Sequence, residues 1–462
     1  MNKLITLLFL IGFTFTSFTQ NLINHTSDHY STIAEKIITT SISEMKGYTW
    51  LDELCSEIGP RLSGSEASMK SIYWAKDKFE QMGVDSVWLE PVMVPKWVRG
   101  NIEQAEIISS TSLNGKELNI ASLGSSIGTP EGGITAEVIE IHSFDELKEK
   151  ADEVKGKIVF FNRPFNQTFV YTFGGYGDAV EQRVYGPSKA AEYGAVAAIV
   201  RSITTKYDNV PHVGTLLYAD SVKQIPAAAI GLVDADLLSE ALKAEPNLKI
   251  NLEMDCENLG LVPSYNVIAQ INGTEFPDEI ILVGGHWDSW DKGCGAHDDG
   301  APCIQTMEVL DIFKRLDLRP KRTIRCVLFI NEENGSKGAL AYADSSLNKG
   351  EYHLAAIESD RGVFTPRGFA TDADSGTINK MQAWLPILNK SNIEWIRSGG
   401  TGADISKLKN VKAQFGYVPD SQRYFDVHHS ANDVFESVNP REMQLGTSAM
   451  AIFAYLLSEE GL

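Results

Sequence analysis

Apolar residues follow two rhythms along this chain. From about Asp28 to Gly47, and again from Glu66 to Met82, they recur at helical spacing, with Ile72, Ala75, Phe79 and Met82 on one face of the second stretch. GPRLSGS, Gly59 to Ser65, has the composition of a loop between them. Elsewhere the apolar residues form short unbroken runs. Between about Gly115 and Met254, GKIVFF, VAAIV and IPAAAIGL read as strands and GPSKAAEYGA as a helix. From Pro263 onward a strand, loop, helix order repeats, with EIILVGG, TIRCVLFIN and HLAAIESD as its strands. Continuous apolar runs alternating with helical segments predict an α/β fold whose mostly parallel central sheet is flanked by helices.

Ahead of the first helix stands MNKLITLLFLIGFTFTSFTQ. Lys3, the apolar run Leu4 to Phe15 and the small residues Ser17 and Thr19 are the parts of an export signal. The run is too short for a comfortable membrane span. The expected organisation is a signal peptide at 1–19, the first part of the main domain at 20–114, an inserted domain at 115–254 and the remainder of the main domain at 255–462. The product is then secreted or periplasmic. A formal charge of -20 argues against nucleic acid or an anionic membrane as partner. Hydrophobic residues at 43% and charged residues at 22% are ordinary for a globular protein. Five cysteines, Cys55, Cys256, Cys294, Cys303 and Cys326, are too sparse for a disulfide scaffold or a zinc module. One bridge is compatible with an oxidising compartment, and the sequence does not say which.

The chemistry gathers where the strands end, the edge at which open α/β sheets bind ligands. Directly after EIILV comes GGHWDSWDKGCGAHDDG, two histidines and four aspartates in seventeen positions. His286 and Asp298 lie in that loop, Glu332 and Glu333 end the next strand, and Asp360 ends the third. FDVHHSAND adds the pair His428 and His429. Each group alone has an ordinary explanation as a turn residue, a surface histidine or a helix start. Together they supply the nitrogen and oxygen donors that zinc accepts. Two zinc ions sharing a carboxylate need five protein groups and stand about 3.5–4 Å apart. A further carboxylate is needed to move the proton of the attacking water, and adjacent Glu332 and Glu333 can divide the two roles. HExxH is absent, which disfavours a helix-borne mononuclear site.

The motifs HWDSWDKGCGAHDDG, NEENGSKGA, ESDRG and YFDVHHSAND resemble the co-catalytic di-zinc exopeptidases. That family includes bacterial aminopeptidases and glutamate carboxypeptidases. GPRLSGSEA resembles the family's N-terminal loop, and the segments from GKIVFF to IPAAAIGL its inserted protease-associated domain. The resemblance implies the zinc-exopeptidase, phosphorylase/hydrolase-like fold and two zinc ions per chain. His286 and Asp360 would hold one ion, Glu333 and His429 the other, with Asp298 between them. Glu332 would be the general base, Asp288 would orient His286, and Asp433 could orient His429. Asp299 would position backbone. Asp404, in SGGTGADIS, would meet a substrate amino group or stabilise its turn. Tyr424 and Tyr417 are candidate donors to the oxyanion, Tyr424 is also a candidate substrate contact, and His428 would be a substrate-side or structural histidine. The implied activity is hydrolysis of dipeptides or short peptides, with a homodimer as the assembly. Aminopeptidase polarity, a single-zinc glutaminyl cyclase-like acyl transferase and a receptor-like relative are the rival readings.

Overall fold

The computed structural model describes residues 28–462. The expected signal peptide at 1–19 lies outside the described residues.

The first helical stretch is two helices. Residues 28–44 are helical, the left-handed backbone of Met45 (φ 47°) breaks the run, and Lys46–Glu53 continues it. The next helix spans Glu66–Met82, as its periodicity predicts. Ser65 caps it by accepting the Ser68 amide at 3.0 Å, and Gly83 ends it in the left-handed conformation (φ 66°). Ile72, Ala75 and Phe79 carry its buried face.

Eight strands form the main sheet, in the spatial order Ser86–Val98, Glu257–Ile271, Arg322–Phe329, Phe276–His286, Tyr352–Glu358, Val411–Pro419, Pro366–Thr371, Trp395–Ser398. The four middle strands are mutually parallel. The flanks are not. Ser86–Val98 and Glu257–Ile271 make a long antiparallel ribbon, which joins Arg322–Phe329 antiparallel, and Pro366–Thr371 runs against Val411–Pro419. The sheet is therefore mixed, parallel where the charged loops leave it.

Its middle strands are covered on both faces, which is why they read as unbroken apolar runs. Ile281, Val283, Cys326, Leu328 and Ile357 join one core with helices Ala301–Arg315 and Pro440–Glu460. Leu282, Val327, Phe329 and Ala356 join another with Ala339 and Tyr342 of helix Lys337–Asn348.

Between the two strands of the ribbon the chain builds a second eight-stranded sheet. Its parallel centre is Ile134–Ile141, Ile158–Phe161, Ala197–Arg201 and Ala227–Ile230. Antiparallel additions include Glu103–Ile107 and Lys249–Met254. Glu103–Ile107 precedes Gly115, where the sequence marks the change of rhythm. That strand, EQAEI, buries only Ala105 and Ile107 and carries charge on its other side, so it has no apolar run to announce it.

Glu308, on helix Ala301–Arg315, is wholly buried against Thr447 (3.3 Å) and Arg315 (3.6 Å). Burial pushes its carboxyl up to about 7, against the downward pull of Arg315. A glutamate in the unfolded chain titrates near about 4.3. Between those values the native state keeps a proton that the unfolded chain has released, so stability falls as pH rises through this window, by on the order of 3 kcal/mol. Glu308→Gln cannot ionise and should remove that part of the slope. Its Tm relative to the native chain should rise between pH 5 and pH 8, as read by calorimetry; an unchanged difference would refute the assignment.

Candidate metal centre and active site

His286 is the last residue of strand Phe276–His286, and the glycines before it are a packing requirement. A Cβ on Gly285 would collide with the Asp299 carboxylate and stand 2.7 Å from the Ser359 carbonyl oxygen. With no side chain there, Asp299 reaches in and accepts the His286 amide at 3.1 Å. Glu332 and Glu333 follow Asn331, which holds a left-handed backbone (φ 69°) at the end of its strand, and Asp360 lies two residues beyond Glu358. His429 is also left-handed (φ 58°), within the turn that follows Tyr424–Asp426. Non-glycine residues in this region cluster at functional sites because only a packed surrounding holds them there.

These separate segments meet at Asp298. Its Oδ1 lies 3.1 Å from His286 Nε2, which is itself 3.4 Å from Asp360 Oδ1. Its Oδ2 lies 3.2 Å from His429 Nε2, which is 3.1 Å from Glu333 Oε2. His428 stacks on His429 with ring centroids 3.6 Å apart, its Nε2 3.5 Å from the same Oδ2. One carboxylate thus separates two half-sites, each completed by one imidazole and one further carboxylate.

The imidazoles are oriented by main-chain oxygens. His286 Nδ1 faces the Asp288 carbonyl at 3.0 Å, and His429 Nδ1 faces the Val213 carbonyl at 3.1 Å. A carbonyl only accepts, so each Nδ1 carries the hydrogen and each Nε2 can present its lone pair to the centre. The carboxylates expected to orient these rings act elsewhere. Asp288 Oδ1 accepts the Glu332 amide at 3.1 Å, and Asp433 accepts the amides of His297 (2.7 Å) and Asp298 (3.1 Å). Both carboxylates hold the backbone that carries site residues.

The electrostatics express an excess of acid. Burial alone would lower the His286 and His429 imidazoles, but Asp360 and Asp298 outweigh it for the first and Glu333 and Asp298 for the second, so both sit well above the ordinary value. Burial would raise Asp298, yet the two imidazoles hold it well below the usual carboxylate range. Burial and the neighbouring carboxylates Asp360, Glu333 and Asp288 push Glu332 up to about 8, despite His286. Burial drives His428 well below its ordinary value, with His429 adding to it.

Such a cluster fits a divalent cation. Asp298 Oδ2 is buried and, although two imidazole nitrogens are close, no donor is aligned on it as a hydrogen bond. Donor atoms of His286, Asp298 and Glu333 lie within 4.8 Å of one another, as do those of Asp298, His428 and His429 and those of His286, Asp299 and Asp360. Imidazole nitrogen with carboxylate oxygen is a donor set that zinc accepts.

The remaining candidates divide. Asp404 is buried with neither carboxylate oxygen bonded, while its amide donates to Glu358 Oε2 at 3.0 Å. Tyr424 is buried beside His428 (5.1 Å between ring centroids) and stacks on Phe173 of the second sheet's unit. Tyr417 belongs to the hydrophobic core, against Phe369.

Several contributors carry no sequence signal. Arg61 clamps the site loop through the carbonyls of Trp287 (2.7 Å), Cys294 (2.7 Å) and Gly295 (3.1 Å). The Trp290 amide donates to Glu333 Oε1 at 3.2 Å. The second sheet's unit supplies Val213 to His429, and His212 Nδ1 lies 2.7 Å from the His428 carbonyl oxygen. That unit has no clustered ligands in its sequence, but its main chain reaches the site.

The profile of peptidase family M28 matches residues 266–454. Carboxypeptidase Q of Mus musculus is 36% identical over 441 residues, covering 93% of this chain and 90% of that protein. A solved structure of a peptidase M28 precursor from Shewanella amazonensis superposes with a TM-score of 0.88 at 33% identity, covering 94% of this chain and 98% of that one. BSAP, a zinc aminopeptidase from Bacillus subtilis, shares the fold with a TM-score of 0.63 at 19% identity, over 90% of this chain and 95% of that one.

Proposed function

Because the chain belongs to peptidase family M28 and is a metallopeptidase, we propose that it is an exported di-zinc exopeptidase of carboxypeptidase or dipeptidase polarity, acting on dipeptides or short peptides. The observation that carries this reading is the placement of Asp298, with one oxygen toward His286 and the other toward His429. His286 and Asp360 would hold one ion, Glu333 and His429 the other, and Asp298 would serve both. Zinc bound there would polarise the scissile carbonyl and make water acidic enough to attack near neutral pH.

The chain's own residues supply the rest. Glu332 takes the proton of the attacking water and passes it to the leaving amine, a role for a carboxylate that stands beside the proposed ligand Glu333 without being one of the ligands itself. Asp288 fixes Glu332 by its amide, and the Asp288 and Val213 carbonyls fix the two imidazoles. Tyr424, His428 and Asp404 are the proposed substrate contacts. The second sheet's unit is read as the inserted protease-associated domain and the assembly as a homodimer.

Asp404 favours one alternative. A buried carboxylate without a partner suits a substrate's terminal ammonium, as an aminopeptidase would require. Two measurements decide. Metal analysis after dialysis should return two zinc ions per chain; a single ion, with no gain in activity on adding a second, ends the di-zinc reading and reopens a cyclase-like one. Product analysis should show cleavage lost when the peptide's C-terminus is amidated, whereas stepwise release of N-terminal residues from the amidated peptide would make the enzyme an aminopeptidase.

A further inference from the structure

Cys55 and Cys294 are 239 residues apart, yet their sulfurs stand 2.6 Å from each other. Thiols brought together this way need little movement to reach the geometry of a bridge. The other three cysteines have different neighbours. Cys256 faces the Ser126 carbonyl at 3.5 Å, Cys303 the His286 carbonyl at 3.0 Å and Cys326 the Thr306 hydroxyl at 3.3 Å, and all three are buried. Cys55 and Cys294 are only partly buried, so a reagent can reach them. Arg61 donates to the Cys294 carbonyl at 2.7 Å, placing a guanidinium where it favours a nearby thiolate.

We propose that Cys55 and Cys294 form a disulfide that fastens the metal-site loop to the N-terminal helices. The oxidant is an acceptor disulfide, either oxidised glutathione or the exposed disulfide of an oxidoreductase. The Cys294 thiolate attacks one acceptor sulfur, giving a mixed disulfide and releasing the other sulfur as a thiolate, which takes up the proton lost from Cys294. The Cys55 thiolate then attacks Cys294 Sγ and expels the second acceptor thiolate, which takes the proton lost from Cys55. The enzyme gives up two electrons and two protons, and the acceptor disulfide becomes two thiols.

The position gives the bridge a purpose. Cys55 belongs to the turn Leu54–Ile58 that closes the N-terminal helices. Cys294 lies between Trp290, whose amide holds Glu333, and Gly295, which leads into the segment carrying Asp298. Tying these points restrains the loop from outside the site and consumes no site residue. This holds whatever the substrate polarity, so it stands or falls separately from the proposed function.

The full enzyme is equilibrated with oxidised glutathione, alkylated in denaturant and digested without reduction. The expected result is three alkylated cysteines and one cross-linked peptide pair containing Cys55 and Cys294, lighter by two hydrogens than the separate peptides. Five alkylated cysteines, glutathione left on either residue, or a bridge to a different cysteine would overturn the proposal. A C55S/C294S variant should melt lower than the oxidised enzyme by about 5 °C and lose zinc to a chelator several-fold faster. Equal melting temperatures and equal zinc loss would remove the fastening role.

Discussion

Glu332→Gln should keep both metal ions and lose about 10²–10⁴-fold in kcat, with KM little changed. Glutamine matches glutamate in size and still accepts a hydrogen bond, so the Asp288 contact to the residue-332 amide is retained. What it cannot do is accept the proton of water and return it to the amine. Glu333→Gln is the contrast. Glu333 Oε2 lies 3.1 Å from His429 Nε2, and its other oxygen takes the Trp290 amide. Weakening that group should empty one metal position, with activity partly restored by excess zinc. Metal content measured beside kcat separates the two. If Glu332→Gln lost a metal ion while Glu333→Gln kept both, the roles would be exchanged, and near-native activity of Glu332→Gln with both ions present would end the proton-shuttle mechanism.

Asp298→Asn should cost more. An amide presents one oxygen and one donor group where the carboxylate presents two oxygens, and it carries no charge. Whichever way the amide turns, its NH₂ group faces either the His286–Asp360 half or the His429–Glu333 half. One half then loses a donor outright, and the other exchanges an anion for a neutral oxygen. Metal content after dialysis should fall below one ion per chain. Metal polarisation and activation are worth several kcal/mol of transition-state stabilisation, so kcat/KM should fall on the order of 10³-fold or more. Stability follows. A ligand at 1,000 times its Kd stabilises the fold by about 4 kcal/mol, and loss of that support should lower Tm by about 5 °C. Retention of two tightly held ions by Asp298→Asn would remove Asp298 from the centre of the site.

Much of this was legible because strand ends and ligand types are both local signals. Unbroken runs such as EIILVGG mark strands buried on two faces, and a histidine or carboxylate immediately after such a run has few other places to point. The helix Glu66–Met82 was legible from its one apolar face, a signal as local as a strand end. The antiparallel ribbon was not, since pairing between Ser86–Val98 and Glu257–Ile271 joins residues far apart in sequence and leaves no periodic trace. Nor were the groups that orient the histidines. The sequence offers Asp288 and Asp433 as partners by residue type, whereas the structure uses the carbonyls of Asp288 and Val213, and every residue has a carbonyl. Arg61 is hidden likewise, because its three partners are all main-chain oxygens.

The Val213 carbonyl that meets His429 Nδ1 also ties the second sheet's unit to the alignment of the site. The two residues are 216 positions apart, and the Val213 amide returns the contact by donating to the His429 carbonyl at 2.8 Å. A displacement of that unit would therefore turn the His429 ring, one of the two imidazoles beside Asp298. A unit with no clustered donors of its own is in this way a part of the site's geometry.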